Sequence, residues 1–285
     1  MYYDITTPDM AYDWIYDTLQ IKPGRFIEDF ILKCNNDIDS FCEMYKKQIQ
    51  KINIEKLEIV AFHVTSNKDR CVSIRKNGIR NLQWVLSNET EMRYLLAENG
   101  ILFYIDQQKM CANSQEYDIE YAKYKGKNHA TDTAENLEWI AHKIYYDYQI
   151  NAFFFCEDIS KYSTVCKMPE FLYTLSNLSD DAQKVADQWI EDRKPYVIKY
   201  KANFKDFAYY TFYDNEMDYQ YDEINNYKFL KKILILRAID GMNGELADDV
   251  FAYMKPETYI PPEDILEITS AEEWRINVLK YFGKA

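Results

Sequence analysis

Glycine is scarce in this chain, which has seven glycines among 285 residues. An average protein contains roughly 7% glycine, so the backbone of this one has few positions of unusual freedom. The sequence contains no G-x-G-x-x-G, G-x-x-x-x-G-K-[ST] or G-x-S-x-G motif, in which glycines let the backbone approach a phosphate or make a strained turn. If the chain binds a nucleotide, side chains must therefore hold it.

Length and aromatic content predict a folded, globular chain of one large or two small domains. The 26 Tyr, 15 Phe and 5 Trp residues supply far more buriable surface than a disordered chain carries. The longest apolar stretch, residues 144–156, is too short and too polar to span a bilayer. The first residues lack the basic and apolar regions of a signal peptide, so we expect a cytoplasmic protein without a membrane partner.

The cysteines and histidines predict a site without a metal. Six cysteines are scattered without a C-x-x-C pair, and the chain has three histidines. In a cytosolic protein this pattern indicates idle or buried thiols rather than a zinc or disulfide framework.

The net charge of −13 repels nucleic-acid backbones at long range. Residues 63–82 are an exception, because they carry five basic residues against Asp69, a net charge of +4. Two interpretations stay open: a solvated helix face, or the rim of a pocket for a phosphate-bearing ligand. The five basic residues are Lys68, Arg70, Arg75, Lys76 and Arg80.

The spacing of apolar residues predicts helices first, mixed elements in the middle and a mainly antiparallel sheet late, which is an α+β pattern. Residues 107–136 are polar and are expected to form a mobile excursion or a loosely packed helical insert. We divide the chain into an N-terminal helical element, residues 1–56, and one domain over residues 57–285. Predicted helices cover residues 8–19, 26–50 with a break near 35–36, 69–76, 82–86, 88–98, 133–148, 169–178 and 180–191. Predicted strands cover residues 57–64, 150–156, 196–201, 207–213, 231–237 and 265–269.

One predicted strand ends in His63-Val64-Thr65, and a short helix later comes Ile74-Arg-Lys-Asn-Gly-Ile79. This order resembles the opening of the ADP-ribosyltransferase fold in its diphtheria-toxin and poly(ADP-ribose) polymerase branch. The resemblance implies a split, mainly antiparallel sheet that grips NAD, the substrate, without a glycine-rich loop. It further implies that His63 hydrogen-bonds the adenosine ribose and that Thr65 supports it. Basic residues such as Arg80 would help to hold the pyrophosphate.

A second motif of that family is an aromatic strand with a tyrosine on the next helix. Here Phe153-Phe154-Phe155 is followed by Tyr162. The resemblance implies that Tyr162 stacks on nicotinamide and that Phe154 stands where relatives carry a strand tyrosine. A phenyl ring can stack but has no hydroxyl to donate. The alternative is that all three phenylalanines are core residues.

The third motif is a glutamate at the start of a late strand. In the family its carboxylate engages the nicotinamide ribose, where positive charge develops as nicotinamide leaves. We prefer Glu245, which follows Gly244 after the predicted strand ending at residue 237, and keep Asp249 second. Asp248 and Glu257 are also near enough, and a surface acid is the alternative for each of them.

These motifs lead to the expectation of an NAD-dependent ADP-ribosyltransferase, a toxin or defence effector of a bacterial or phage conflict system. The alternatives are a catalytically degenerate, acidic binding or inhibitor protein and an NAD glycohydrolase. The macromolecular acceptor is unknown, although the acidic field favours a protein over nucleic acid. The N-terminal helices and the polar insert are candidate contacts for an antitoxin or another partner.

Overall fold

Helices and antiparallel strands alternate irregularly in the computed structural model, which describes residues 2–22, 24–213, 227–246 and 249–282. Besides a π-helix over Ile27–Lys33, the helices are α1 (Pro8–Leu19), α2 (Ile38–Met44), α3 (Lys46–Gln50), α4 (Val72–Asn77), α5 (Leu82–Ser87), α6 (Glu91–Glu98), α7 (Tyr121–Tyr124), α8 (Asp132–Tyr145), α9 (Ser163–Lys167), α10 (Glu170–Ser176), α11 (Asp180–Asp192), α12 (Tyr227–Asn243) and α13 (Ala271–Leu279). The strands are β1 (Glu58–Asn67), β2 (Leu102–Tyr104), β3 (Lys109–Ala112), β4 (Gln115–Asp118), β5 (Asn151–Phe155), β6 (Lys194–Asn203), β7 (Val250–Tyr253) and β8 (Ile265–Ser270).

A five-stranded sheet in the order β7-β5-β1-β6-β8 organises the fold. Every neighbouring pair in it is antiparallel, and β1 pairs with β6 over ten residues, from Glu58 opposite Asn203 to Asn67 opposite Lys194. A second, three-stranded sheet has the order β2-β3-β4. The predicted α+β class with a mainly antiparallel sheet is therefore confirmed.

The N-terminal helices form as their sequence predicts. The Thr7 hydroxyl accepts a hydrogen bond from the backbone N–H of Met10, and Pro8 occupies the first turn of α1. Tyr3 pairs with Ile59 of β1 and buries its ring, and side chains of the N-terminal helices share one hydrophobic core with the sheet.

Two predicted strands are wrong. Residues 231–237 lie inside α12, whose buried side chains recur at helical spacing. A run rich in Ile and Leu fits a buried helix as well as a strand, and only tertiary packing separates the two. Residues 207–213 contain the 3-10 turn Tyr209–Phe212 rather than a strand.

The polar insert contains two strands and buried side chains rather than the expected loosely packed helix. Its strands β3 and β4 complete the small sheet, and Met110, Ala112 and Ile119 are buried there. These side chains pack in a second hydrophobic core with α5, α6, α8, α10 and α11. We call this small sheet and the five helices around it the second lobe.

Strand β1 continues past the expected end at residue 64 to Asn67. His63 therefore lies within the strand, and its successors on the same face, Thr65 and Asn67, extend the row of side chains by a period of two. The continued pairing with β6 explains the extra length, because Thr65 to Asn67 still have partners opposite.

Gly78 ends α4 with φ +75° and ψ −176°, a conformation that is essentially restricted to glycine. A Cβ added there would lie 2.0 Å from the carbonyl oxygen of Ile260. Ile79 and Ile260 exchange two backbone hydrogen bonds at 2.9 and 3.0 Å, so neither segment can move aside freely.

We expect Gly78→Ala to lower the free energy of unfolding by about 3 kcal/mol or more, since a strained backbone costs about 1–3 kcal/mol and an overpacked side chain about as much again. The measurement is urea denaturation. Gly100→Ala is the matched control, because Gly100 has φ +73° but nothing within 4 Å of an added Cβ. Equal losses in the two variants would contradict the contact with Ile260.

Candidate functional site

A cavity of about 810 Å³ opens between the C-terminal half of β1 and the second lobe. Its volume lies within the range of about 300–1,000 Å³ that is usual for small-molecule sites. Among the residues predicted from the sequence, His63, Thr65, Arg80 and Tyr162 all line this cavity. The tertiary fold thus brings four of the seven predicted site residues to one cleft.

His63 and Thr65 stand two residues apart on β1 and face the same side of the sheet. The Nδ1 atom of His63 lies 2.8 Å from the backbone carbonyl oxygen of Asn151. Because a carbonyl oxygen can only accept, Nδ1 carries the proton and donates it. Burial lowers the pKa of His63, so the ring is neutral and its Nε2 is a hydrogen-bond acceptor.

Three aromatic rings form one wall of the cavity, which we call the aromatic wall: Phe153, Tyr162 and Phe251. The Phe153 ring centre lies 5.0 Å from that of Tyr162 and 5.1 Å from that of Phe251. Tyr162 and Phe251 meet edge to face at 6.0 Å. The rings are inclined to one another by 35° to 89°, so a planar ligand ring could stack on one of them and meet the edges of the others.

The expectation for Phe154 requires a correction. Its side chain is 0% exposed and points into the core, where it packs on Phe207 and Phe212. Its neighbour Phe153 lines the cavity instead. Successive strand residues point to opposite faces, so a shift of one residue moves a side chain from the core to the cleft.

Asp249 stands immediately before β7 and lies beside the aromatic wall. The Tyr162 hydroxyl donates a hydrogen bond of 2.9 Å to its Oδ2 atom. The other carboxylate oxygen, Oδ1, is buried and accepts no hydrogen bond from the part of the chain that the structure describes. Burial and the Asp249 carboxylate raise the pKa values of Tyr162 and of the Cys156 thiol, so both groups stay protonated.

Glu245, the acid preferred from the sequence, does not reach the cavity. It is exposed beyond the end of α12, where the Asn243 side-chain amide donates to it at 3.4 Å. The preference depended on a strand that the structure replaces with a helix. Glu257 accepts a hydrogen bond from the Tyr148 hydroxyl at the surface, and Asp248 lies outside the described residues.

Arg80 is the only one of the five basic residues in 63–82 that lines the cavity. Its guanidinium lies 3.8 Å from the ring centre of Tyr259 and 5.1 Å from that of Trp84, and its Nε donates to the Asn77 carbonyl. No carboxylate among the described residues pairs with it. The stacked rings hold the guanidinium in place while its charge remains available.

A network of buried contacts joins the end of β1 to the second lobe. The Trp189 indole donates to the Ser66 hydroxyl at 2.8 Å, and the Arg193 guanidinium stacks on the Trp189 ring at 3.9 Å. Arg193 is 2% exposed and pairs with Glu91, which also binds Lys68 at 2.9 Å. These contacts connect β1 to α6 and α11. They also pair Lys68, a basic residue that the sequence left as a candidate phosphate contact, with a carboxylate.

A polar cluster that the sequence patterns did not indicate lines the cavity near His63. The Lys143 ammonium pairs with the carboxylates of Asp147 and Glu170, and Asp147 also accepts hydrogen bonds from the side-chain amides of Gln149 and Asn151. Burial alone would lower the pKa of Lys143, but the two carboxylates prevail and raise it. The four-residue spacing of Lys143, Asp147 and Asn151 was the one available signal.

The chain matches no family model, and it has no significant match among the curated proteins or the solved structures. In the described residues, none of the helices combines the length and the apolar character needed to cross a bilayer. Over the same residues, no group of three or more His, Cys, Asp or Glu side chains is arranged to hold a metal ion.

The lowered pKa of His63 predicts a stability that falls with acid. An unfolded histidine takes up a proton near its ordinary pKa of 6.5, whereas the partly buried His63 of the folded protein takes it up only at lower pH. Between these two pKa values the unfolded state binds more protons, so the free energy of unfolding decreases as pH falls. Burial lowers the pKa of His142 in the same direction.

We therefore expect His63→Gln to lose less unfolding free energy than the wild type between pH 7 and pH 5.5, measured by urea denaturation. The His63→Gln/His142→Gln double variant should show a smaller loss still. Both variants keep the same carboxylates, so the comparison isolates the histidines. An identical pH dependence in wild type and His63→Gln would contradict the neutral, partly buried ring.

Proposed function

We propose that the protein is an NAD-dependent ADP-ribosyltransferase. The observation that carries this proposal is the convergence of His63, Thr65, Arg80 and Tyr162 on one cavity, with Asp249 bonded to Tyr162. These residues come from distant parts of the chain, and His63, Thr65 and Tyr162 are positions at which the sequence resembles the diphtheria-toxin and poly(ADP-ribose) polymerase branch. Asp249 precedes a late strand, as the catalytic acid does in that family.

One end of the cavity suits the adenosine ribose and the diphosphate. The neutral His63 ring offers Nε2 as an acceptor, and a ribose hydroxyl is a donor of matching chemistry. The Thr65 hydroxyl lies on the same face and adds a second polar group. Arg80 supplies a stacked guanidinium without a carboxylate partner among the described residues, and its positive charge would offset one of the two negative charges of the diphosphate.

The other end suits nicotinamide and its ribose. The aromatic wall would stack against the nicotinamide ring. In the reaction the bond between ribose C1′ and the ring nitrogen breaks, and its electron pair leaves with nicotinamide. Positive charge then develops on the ribose, where the Asp249 carboxylate would stabilise it. The acceptor nucleophile forms the new bond to C1′ and gives up its proton.

The acceptor determines whether the reaction is transfer or hydrolysis. Water in place of a macromolecular nucleophile would make the protein an NAD glycohydrolase that uses the same residues. The net charge of −13 favours a protein acceptor over nucleic acid. Removal of NAD or modification of a cellular target suits a toxin or defence effector acting in the cytoplasm.

A specific observation favours a second candidate, a non-enzymatic protein that binds a nucleotide in a degenerate site. Asp249 does not itself line the cavity, and its Oδ2 atom is engaged by the Tyr162 hydroxyl. Catalysis requires this carboxylate to face the substrate ribose. Release of nicotinamide from NAD separates the enzyme from the binding protein, since both would bind the dinucleotide.

We expect the wild type to release nicotinamide from NAD and Asp249→Asn to lose about 10²-fold or more in kcat, the usual effect of removing one group that stabilises transition-state charge. The asparagine keeps an acceptor for the Tyr162 hydroxyl, so the fold should be retained. Nicotinamide is quantified by chromatography.

Glu245→Gln is the matched control, because it removes one carboxylate from an exposed position outside the cavity. Its turnover should equal that of the wild type. No nicotinamide release by the wild type, with NAD bound, would support the binding protein. Full activity in Asp249→Asn would exclude Asp249 as the catalytic acid.

A further inference from the structure

We propose that Asp147 makes this cavity select a dinucleotide whose adenosine ribose carries a free 2′-hydroxyl and reject the 2′-phosphorylated form, NADP. The inference rests on the proposed binding of NAD and assigns the group that sets its specificity. A carboxylate beside the ribose favours a hydroxyl and disfavours a phosphate in other dinucleotide sites for the same electrostatic reason.

Two hydrogen bonds connect Asp147 to the ring that would bind the ribose. The Asn151 backbone carbonyl accepts from His63 Nδ1 at 2.8 Å, and the Asn151 side-chain amide donates to Asp147 Oδ1 at 3.3 Å. All three residues line the same cavity. The His63 ring and the Asp147 carboxylate therefore face the same cavity and are joined through one residue, Asn151.

His63 itself makes the first distinction between the two dinucleotides. Since Nδ1 donates to the Asn151 carbonyl and the ring is neutral, Nε2 can only accept. In the proposed binding mode Nε2 faces the 2′ position, where the hydroxyl of NAD has a proton to donate to it. A phosphate dianion has no proton to donate. Its oxygen and Nε2 are both acceptors, so no hydrogen bond forms between them.

The charges around Asp147 make the second distinction. Lys143 has a side chain that is 13% exposed, and its single positive charge is shared by the carboxylates of Asp147 and Glu170. This part of the cavity thus carries one surplus negative charge in a partly buried setting, where like charges repel strongly. Arg80 is the one cation among the described lining residues without a carboxylate partner. It would pair with the diphosphate and would not be free to pair with a 2′-phosphate.

The test is equilibrium binding of NAD and of NADP to the full chain by isothermal titration calorimetry. We expect the wild type to bind NAD at least about tenfold more tightly than NADP, the ratio that corresponds to about 1.4 kcal/mol of repulsion. In Asp147→Asn the preference should shrink by about tenfold. The change should come from tighter binding of NADP, because the asparagine keeps a side-chain oxygen that can accept from a ribose hydroxyl.

Glu170→Gln keeps the test decisive if Asp147→Asn fails to fold. Glu170 is 56% exposed and shares Lys143, so its removal lowers the same surplus charge and should shift the preference in the same direction by a smaller factor. Glu245→Gln is the matched control, since it removes one carboxylate from an exposed position outside the cavity. Its NAD to NADP ratio should equal that of the wild type.

The outcomes separate this inference from the proposed function. Equal binding of NAD and NADP by the wild type, or a ratio unchanged in both Asp147→Asn and Glu170→Gln, would overturn the role of Asp147 and leave NAD binding intact. Binding of neither dinucleotide by the wild type would overturn both proposals.

Discussion

The pairing of β1 with β6 over ten residues is the constraint on which the rest of the structure depends. This central strand buries Ile59 and Ala61 in the main core, and the same face then continues as His63 and Thr65. A single uninterrupted register therefore connects the core to the candidate site. A slip of one residue would turn both polar side chains to the other face, so core packing also positions the site.

Residues of three hydrophobic clusters border the cavity, and its polar and charged groups are distributed unevenly. The aromatic wall stands near Asp249, Arg80 provides an available positive charge, and Lys143 with its two carboxylates adds a negative charge near His63. The scarcity of glycine fits this arrangement, because every polar group assigned to ligand binding is a side chain. Such a site binds through fixed, oriented groups and needs no phosphate loop.

Capping residues and the spacing of apolar residues predicted the features that depend on short-range interactions. Thr7 and Pro8 begin α1 as their types suggest, and the α+β class followed from the order of periodic segments. The segment inside α12 was predicted as a strand because an Ile- and Leu-rich run fits both structures. At the site, the two-residue spacing of His63 and Thr65 predicted that both face the same side of the strand. Three consecutive phenylalanines, in contrast, do not indicate whether Phe153 or Phe154 faces the cavity. Asp147 and Asp249 are placed by long-range strand pairing, which one sequence does not specify.

The central claim is that NAD lies along this cavity in one direction. A crystal structure of the protein with a non-hydrolysable NAD analogue tests it most directly. The account predicts the adenosine ribose within hydrogen-bond distance of His63 Nε2 and the nicotinamide ring stacked on Tyr162, with the diphosphate at Arg80. An analogue bound outside the cavity, or one with nicotinamide at His63 and adenine on the aromatic wall, would contradict it.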